Sequence, residues 1–387
     1  MNNPCNFSSC VGCFSCKQIC PKQCISVSSV KYQKQIKIDE SKCIECGLCA
    51  KHCPCNQELP KRLPSNAYAV WIKNDIERRR CASGGFATML SKNFVSKGYN
   101  VYATTLDDNQ MPICRKIRNL DDIENFKGSR YVQSNIDGIY SQIKEDLALG
   151  TKTLLIGTSC QIAGLYSYLG KDYENLYTCD LICHGVCSED FYKEEINHYK
   201  GKQKITDVNF RSNDENNYHL VIRNEDQIIY NRKNYSQFYF VGFLKSVTLN
   251  DSCYTCSYST KERISDFSIG DFMGAEKLGI KKDPYTNVSL VTIMTPKAQI
   301  VFDEISKSDE LYTEKRNYEE ALLYSPSLNG PAETNISSKL FHALCPLLGY
   351  MASSRLVLFP DVFYDRLHHK LFKIKQSFIK WRKKTSK

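Results

Sequence analysis

Cys10-x2-Cys13-x2-Cys16-x3-Cys20-Pro21 is followed by Cys43-x2-Cys46-x2-Cys49-x3-Cys53-Pro54, and these two runs decide how the chain is organised. A cubane iron–sulfur cluster presents four iron corners, each taking one thiolate. Three cysteines at two-residue spacing wrap three corners with one short loop, and the fourth thiolate comes from the last cysteine of the other run. The spacing therefore assigns Cys10, Cys13, Cys16 and Cys53 to one 4Fe-4S cluster, and Cys43, Cys46, Cys49 and Cys20 to a second. Each proline turns the chain at a position that needs no N–H donor. Zinc sites favour paired CxxC or mixed Cys/His sets of four, which this pattern is not. Between the runs, Ile25-Ser26-Val27 and Gln35-Ile36-Lys37-Ile38 alternate like short strands and predict a ββ spacer. Val11, Phe14, Ile19, Ile44 and Leu48 are expected to shield the clusters. Cys5, Cys24 and Cys55 fall outside the pattern, and Cys55 reads as a small buried hydrophobe.

The chain has 387 residues and a formal charge of +10, but its last 23 residues alone carry nine Lys/Arg and one Asp, leaving +2 for the rest. A nucleic-acid-binding body spreads its basic residues over a face, so nucleic acid is excluded as a partner. With 42% hydrophobic and 24% charged residues the chain is expected to fold rather than remain disordered. The opening Met1-Asn2-Asn3-Pro4 has neither a basic nor an apolar region, so no signal peptide is expected. Twenty cysteines then read as metal ligands or redox groups of a cytoplasmic protein rather than as disulfides. Residues 1–59 hold seven Lys and four acids, which suits a fused electron inlet better than a diffusing ferredoxin.

Residues 60–66 read as a linker, and Ala67 to Ile72 as a strand. Ser83-Gly84-Gly85 opens an apolar-periodic helix that stops at Gly98, with a strand following near Val101. Thr153 to Ile156, Gly157-Thr158-Ser159-Cys160-Gln161, a helix through Leu169, and the strand Leu176 to Ile182 make a βαβ unit. Function in such units gathers at the C-terminal ends of the strands, where Cys160 and Cys183 fall. Residues 204–232 alternate like an antiparallel excursion, Ser268-Ile269-Gly270-Asp271-Phe272 reads as a turn, Val288 to Met294 as a buried strand and Lys297 to Ser306 as a helix.

Ala82-Ser83-Gly84-Gly85, Gly128-Ser129-Arg130-Tyr131-Val132-Gln133-Ser134, Gly157-Thr158-Ser159-Cys160-Gln161-Ile162-Ala163-Gly164, Cys183-His184-Gly185, Cys253-Tyr254-Thr255-Cys256, Ile264-Ser265-Asp266 and Ile269-Gly270-Asp271-Phe272 together resemble the coenzyme F-420 hydrogenase/dehydrogenase beta-subunit family, in the form fused to an N-terminal dicluster ferredoxin. Two departures stand out: Ser159 and Cys187 occupy positions where the family usually has Pro. The resemblance implies an α+β or α/β architecture: a bacterial-type dicluster ferredoxin module (1–59), a mixed α/β flavin-binding core in two parts (67–149 and 150–345) and a basic C-terminal tail (346–387). It implies FAD, with Ser83, Gly84, Gly85, Gly128, Ser129, Tyr131, Gln133, Ser134, Thr158 and Gln161 as its contacts.

Cys160, Cys183, Cys253 and Cys256 all lie in those motifs, and four thiolates suggest a third 4Fe-4S cluster. Structural zinc on the same ligands, or a CxxC redox pair beside unrelated cysteines, are the competing readings. His184 is a candidate proton donor to a flavin, or else a residue that fixes its turn. In the tail, Leu367, Leu371, Ile374, Phe378 and Trp381 form one apolar stripe amid lysines, suited either to packing on the core or to peripheral contact of the 365–387 helix with the inner membrane face. The expected function is that of an iron–sulfur flavoprotein oxidoreductase fed by a low-potential carrier (ferredoxin or F-420) or a partner redox subunit. A non-catalytic electron-transfer subunit and an accessory protein of surface-polysaccharide synthesis are the alternatives.

Overall fold

Thr153–Thr158 (TLLIGT), Ser159–Leu169 and Leu176–Leu181 form the strand, helix and strand at the centre of the chain. In the first strand Leu154 and Ile156 point into one core and Leu155 into another, the period-two alternation of a sheet buried on both faces. A computed structural model of the protein describes residues 4–5, 10–30, 32–201, 204–212, 219–225, 227–280 and 288–385, with the side chains of Gln33, Ser212, Asp365 and the residues beyond Leu367 excepted.

In chain order, the N-terminal module contains α1 (Ser15–Ile19), the hairpin β1 (Ile25–Val30) and β2 (Gln33–Ile38), and α2 (Leu48–Lys51). β1 and β2 pair antiparallel, Ile25 opposite Ile38. The core follows with β3 (Asn66–Ile72), α3 (Asp75–Arg80), α4 (Phe86–Ser96), β4 (Asn100–Leu106), β5 (Pro112–Lys116), α5 (Ile139–Ala148), β6 (Thr153–Thr158), α6 (Ser159–Leu169), β7 (Leu176–Leu181) and α7 (Glu189–Lys200). Next come β8 (Asp207–Ser212), β9 (His219–Asn224), β10 (Gln227–Lys233), α8 (Phe238–Leu244), β11 (Phe267–Asp271), β12 (Ser289–Ile293), α9 (Pro296–Ile305) and β13 (Leu311–Arg316). The chain ends with α10 (Tyr318–Tyr324), α11 (Pro326–Asn329) and α12 (Ile336–Thr385).

The main sheet has eight strands in the order β13-β3-β12-β11-β7-β6-β4-β5. Its middle, β11-β7-β6-β4, is parallel, and antiparallel strands close both sides. α4 and α9 cover one face through Phe86, Leu90, Phe94 and Phe302; α5 and α6 cover the other through Tyr140, Ile143, Ile162 and Leu165. The C-terminal ends of four parallel strands therefore open on one edge, where an open α/β sheet binds its ligands.

A second core joins α7, α8 and the three-stranded sheet β10-β9-β8 to the first half of α12. α12 breaks its helical path at Gly349 (φ 77°), three residues after Pro346. Phe341, Cys345, Tyr350, Val357, Leu358 and Val362 are its buried residues in this core, while Leu356, Phe359, Phe363 and Leu367 are exposed.

Two expectations need correction. Ser268 to Asp271 is not a turn but most of the interior strand β11, parallel to β7 and antiparallel to β12. Gly270 is there because a Cβ would meet the Ile182 side chain at 3.0 Å, not because the chain reverses. Ile44 shields nothing, being 57% exposed.

Candidate redox centre

The loop Cys10–Cys16 and the Cys53-Pro54 turn bring four sulfurs together. Burial pushes the Cys13 thiol well above its ordinary range, and the neighbouring Cys16, Cys10 and Cys53 sulfurs add to it. Cys16 is pushed up to about 12 by burial, with Cys10 and Cys53 acting in the same direction. Cys49 is raised by burial and by the nearby Cys20 and Cys46, and Cys24 lies within range of both Cys20 and Cys43. Each triplet is thus grouped with the last cysteine of the other run. Cys10 is instead lowered to about 7 and Cys53 to about 4, each by a hydrogen bond from Cys5, and Cys20 is lowered as well. Each set mixes raised and lowered thiols at close quarters, a soft donor set that suits iron–sulfur clusters. No disulfide joins any of the twenty cysteines.

The two sets face different surroundings. Cys46 and Gly47 are exposed beside the bare Ile44, whereas Cys13, Cys16 and Cys53 are buried. The buried set is held against the core by contacts the sequence did not announce. Gln133 donates through Nε2 to the Val11 carbonyl at 2.6 Å, and Gln18 donates through Nε2 to Ile136 O at 3.2 Å and accepts from Tyr140 N at 2.9 Å. Tyr258 OH donates to Pro54 O at 3.2 Å, Lys17 pairs with Asp137, and the His52 ring meets Ser167 O. Gly164, in the second turn of α6, makes the closest approach possible, since a Cβ there would lie 2.7 Å from Cys13 Cβ. The Lys34 ammonium is buried over the Phe14 ring, within electrostatic range of both Cys10 and Cys160.

Cys160 opens α6, and Cys183 follows β7. Burial raises Cys160 to about 12 and Cys183 to about 11, and Cys256 acts on both. Cys253 is raised by burial and by Cys183, Cys160 and Cys256, so the four half-buried thiols share one neighbourhood. Tetrahedral zinc with Zn–S bonds of about 2.3 Å sets its sulfurs roughly 3.8 Å apart. Among the described residues, Cys5, Cys53 and Cys55 form the one group of three metal-ligating atoms within 4.8 Å of one another, so the core set is spread more widely than zinc requires. Cys187, by contrast, is fully buried in the second core, beside the Thr248 hydroxyl.

A buried guanidinium ties this neighbourhood together. Arg263 pairs with Asp180 and donates to Ser159 Oγ, Leu181 O, Tyr258 O, Thr260 O and Ser268 Oγ at 2.8–3.3 Å. Sequence reasoning missed it, because a lone Arg before Ile264-Ser265-Asp266 carries no motif signal.

The residues expected to contact a flavin are dispersed. Thr158 caps α6 in a capping box with Gln161, whose Nε2 donates to Ser134 O and Oγ; Thr104 Oγ1 donates to Ser134 Oγ at 3.1 Å. Gln133 reaches the ferredoxin loop instead, as described above. Tyr131 packs edge-on against Phe240 and Phe210. Gly128 and Ser129 precede Arg130, whose Nη1 donates back to Ser129 O at 3.3 Å. Ser83 donates to Val288 O at 3.2 Å, and Gly84 lets the turn press on β3 and β12, since a Cβ would lie 2.1 Å from Val70 O. His184 is turned toward α8, with Nε2 3.2 Å from Phe243 O and 3.1 Å from Ser246 Oγ; burial lowers its pKa.

Beyond the end of β4 lies a cleft of about 770 Å³. Its walls include Thr105, Leu106, Arg79, Arg80, Arg115, Lys116, Arg118, Lys127 and Arg130, against the acids Asp122, Glu124 and Asp207. The buried Nε of Arg130 has no hydrogen-bond partner among the described residues. The near-neutral charge of the body hid this basic surface, because its cations come from distant segments that also carry acids. A second cavity of about 830 Å³ lies by Tyr99 and Asn100, at the opposite end of β4.

Residues 9–57 match the family model of the 4Fe-4S dicluster domain. Residues 150–319 match that of the C terminus of the beta subunit of coenzyme F420 hydrogenase/dehydrogenase. Over 51 residues the chain is 39% identical to NADH-quinone oxidoreductase subunit I 2 of Geobacter metallireducens; the stretch is 12% of this chain and 39% of the relative's length. Among solved structures, a xenon-derivatised F420-reducing [NiFe] hydrogenase complex from Methanosarcina barkeri aligns over 65% of this chain and 82% of the other, at 16% identity and a TM-score of 0.45.

Proposed function

We propose that this iron–sulfur electron-transfer protein, in which a 4Fe-4S dicluster domain precedes the C-terminal region of the coenzyme F420 hydrogenase/dehydrogenase beta subunits, is a flavin-dependent oxidoreductase fed through its N-terminal module. The observation that carries this reading is the contact of the Cys13 loop with Gly164 on α6, the helix whose first turn carries Cys160. In this reading electrons pass from an outer thiol set near exposed Cys46 to an inner set docked on the core, then to the core set at the ends of β6 and β7, and finally to the cleft. Clusters exchange single electrons and a bound flavin holds one or two, so the combination joins one-electron supply to two-electron chemistry.

The residues of this chain do the rest. Cys160, Cys183, Cys253 and Cys256 would hold a third 4Fe-4S cluster. Gln133, Gln18 and Tyr258 fix the inner module, and Arg263 fixes the segments that bear the core thiols. FAD is assigned to the cleft, whose volume falls in the range of cofactor sites; the walls of the cleft include Arg130, next to Ser129 and Tyr131, but none of the ten residues that the resemblance implied as contacts. Its basic walls and the buried Arg130 Nε suit a pyrophosphate, and the presence of Thr105 and Leu106 in its walls supports a site at the ligand-binding edge of the sheet. The outer set faces the donor, a low-potential carrier or a partner redox subunit. Exposed Leu356, Phe359, Phe363 and Leu367 lie on the helix that continues into the lysine-rich tail, and they support peripheral attachment to an anionic membrane surface. The predicted stripe beyond Leu367 lies outside the described side chains.

Anaerobic isolation with iron, sulfide and flavin analysis tests the whole scheme. Three four-iron clusters and one FAD per chain are expected. Two clusters with stoichiometric zinc would remove the third, and protein without flavin would remove the oxidoreductase. Truncation after Tyr364 is expected to abolish flotation with phosphatidylglycerol vesicles; unchanged flotation would rule out the membrane role.

A further inference from the structure

Residues 1–59 contain eleven cysteines, eight in the two runs and three outside them, namely Cys5, Cys24 and Cys55. The three are not scattered. The sulfurs of Cys5, Cys53 and Cys55 all lie within 4.8 Å of one another, and Cys24 Sγ is 3.4 Å from Cys20 Sγ. Cys53 and Cys20 are the two crossover ligands, the ones each cluster takes from the other run. Every extra thiol of the module therefore stands beside a crossover ligand, and Cys5 and Cys24 also reach one triplet ligand each, Cys10 and Cys43.

The neighbours are fixed in place. Pro4 O accepts from Asn56 Nδ2 at 2.6 Å, which pins the segment before Cys5 to the turn that carries Cys53 and Cys55. Cys24 leads into β1, with its carbonyl accepting from Asp39 N at 2.8 Å. Cys5 and Cys24 are both buried, at 7% and 6% exposure. An iron corner takes one thiolate. Two sulfurs are thus surplus at the first cluster and one at the second.

We infer that Cys5 with Cys55, and Cys24, are reserve ligands that take over the irons of Cys53 and Cys20 when those bonds are lost. The inference rests on the two-cluster reading of the module and not on the core set. The exchange breaks the iron bond to Cys53 Sγ and forms one to Cys5 or Cys55 Sγ. The incoming thiol proton passes to the departing sulfur, and no electron is transferred. Crossover ligands are where such a reserve is useful, because each is the one ligand not held within its triplet's short loop.

The test uses the full chain, purified anaerobically, with three readouts: iron content, the EPR spectrum of the oxidised protein for 3Fe-4S, and that of the dithionite-reduced protein for 4Fe-4S. Cys53→Ala is expected to retain two four-iron clusters in the module with altered g values. The triple variant Cys53→Ala, Cys5→Ala, Cys55→Ala is expected to show a 3Fe-4S signal and one iron fewer. Cys20→Ala and its double variant with Cys24→Ala are expected to differ in the same way at the second cluster. The Cys5→Ala, Cys55→Ala double variant must keep both clusters, which shows that the triple variant fails through ligation rather than folding. A 3Fe-4S signal in Cys53→Ala as strong as in the triple variant overturns the inference. Fewer than two four-iron clusters in the unmodified module would instead sink the reading beneath it.

Discussion

Arg263 Nη2 lies 3.0 Å from Asp180 Oδ1, with the two side chains 1% and 0% exposed. Asp180 lies on β7 three residues before Cys183, and the guanidinium touches Ser159, Leu181 and Tyr258, which lie one or two residues from Cys160, Cys183 and Cys256. One buried cation thereby spaces three segments that bear thiols. Removing one partner of a buried pair leaves the other charge uncompensated, at a cost of about 3–5 kcal/mol. Arg263→Gln is expected to lose stability of that order in denaturant titration, and adding Asp180→Asn to recover part of it. Where the single variant stays folded, its iron content should fall by one cluster while the N-terminal pair keeps its EPR signature. Full iron with unchanged stability would show that the guanidinium does not organise the core thiols.

Gly164 offers a test of sign. Within a helix, Gly→Ala ordinarily stabilises by about 0.5–1 kcal/mol. Here the new Cβ would stand 2.7 Å from Cys13 Cβ and 2.5 Å from Tyr140 OH. Gly164→Ala is expected to destabilise and to speed hydrogen exchange at the α6 face of the N-terminal module. Gln133→Ala, which deletes the bond to Val11 O, should act in the same direction by about 1 kcal/mol. A stabilised Gly164→Ala protein would mean that the module is not seated on α6.

Glu195 on α7 is 1% exposed; Tyr199 OH donates to one carboxylate oxygen at 3.0 Å, and the Tyr350 hydroxyl lies beside the carboxylate. Burial raises its pKa above the ordinary 4.5. A raised acid contributes its stability below the unfolded value and loses it as pH rises through the folded value, because the native state then binds more protons than the unfolded one. Glu195→Gln is therefore expected to gain stability relative to the parent as pH rises above about 5, and the two melting curves to converge near pH 4. A difference that is flat with pH would show that this carboxyl does not titrate abnormally.

The N-terminal thiol grouping was legible because cluster chemistry fixes ligand spacing, and a spacing is visible in one dimension. The βαβ unit was legible for a similar reason: Thr153 to Ile156 is continuously apolar and Gly157-Thr158 punctuates it. β11 was not, since Gly270-Asp271 has the composition of a turn. What excuses the glycine is Ile182 across the sheet, a contact without a local signature. The cleft escaped notice because Arg79, Arg115, Arg130 and Asn209 meet only through the fold. Arg263 and Gly164 escaped for the same reason. Each acts by touching segments distant in sequence, so its role is a property of tertiary packing. The tail was read from Leu367 onward, yet the exposed apolar residues of α12 begin well before it, on the reverse of a helix whose other side is core.

Arg130 carries the sharpest claim about the cleft. Its guanidinium is held at one end by Ser129 O, while its buried Nε lacks a partner among the described residues, and a buried donor left unpaired costs about 1–3 kcal/mol. An anionic group in the cleft would satisfy it, through a charge-assisted bond of about 1.5–3 kcal/mol. Arg130→Ala is thus expected to weaken FAD binding roughly 10- to 100-fold in equilibrium titration of the flavin-stripped protein. Arg130→Lys should fall between, because an ammonium keeps the charge but not the planar fork. Riboflavin, which lacks the phosphates, is expected to bind the parent and Arg130→Ala alike. Equal losses for FAD and riboflavin would place Arg130 in the framework of the cleft rather than at the pyrophosphate, and no loss for either would move the flavin out of this cleft.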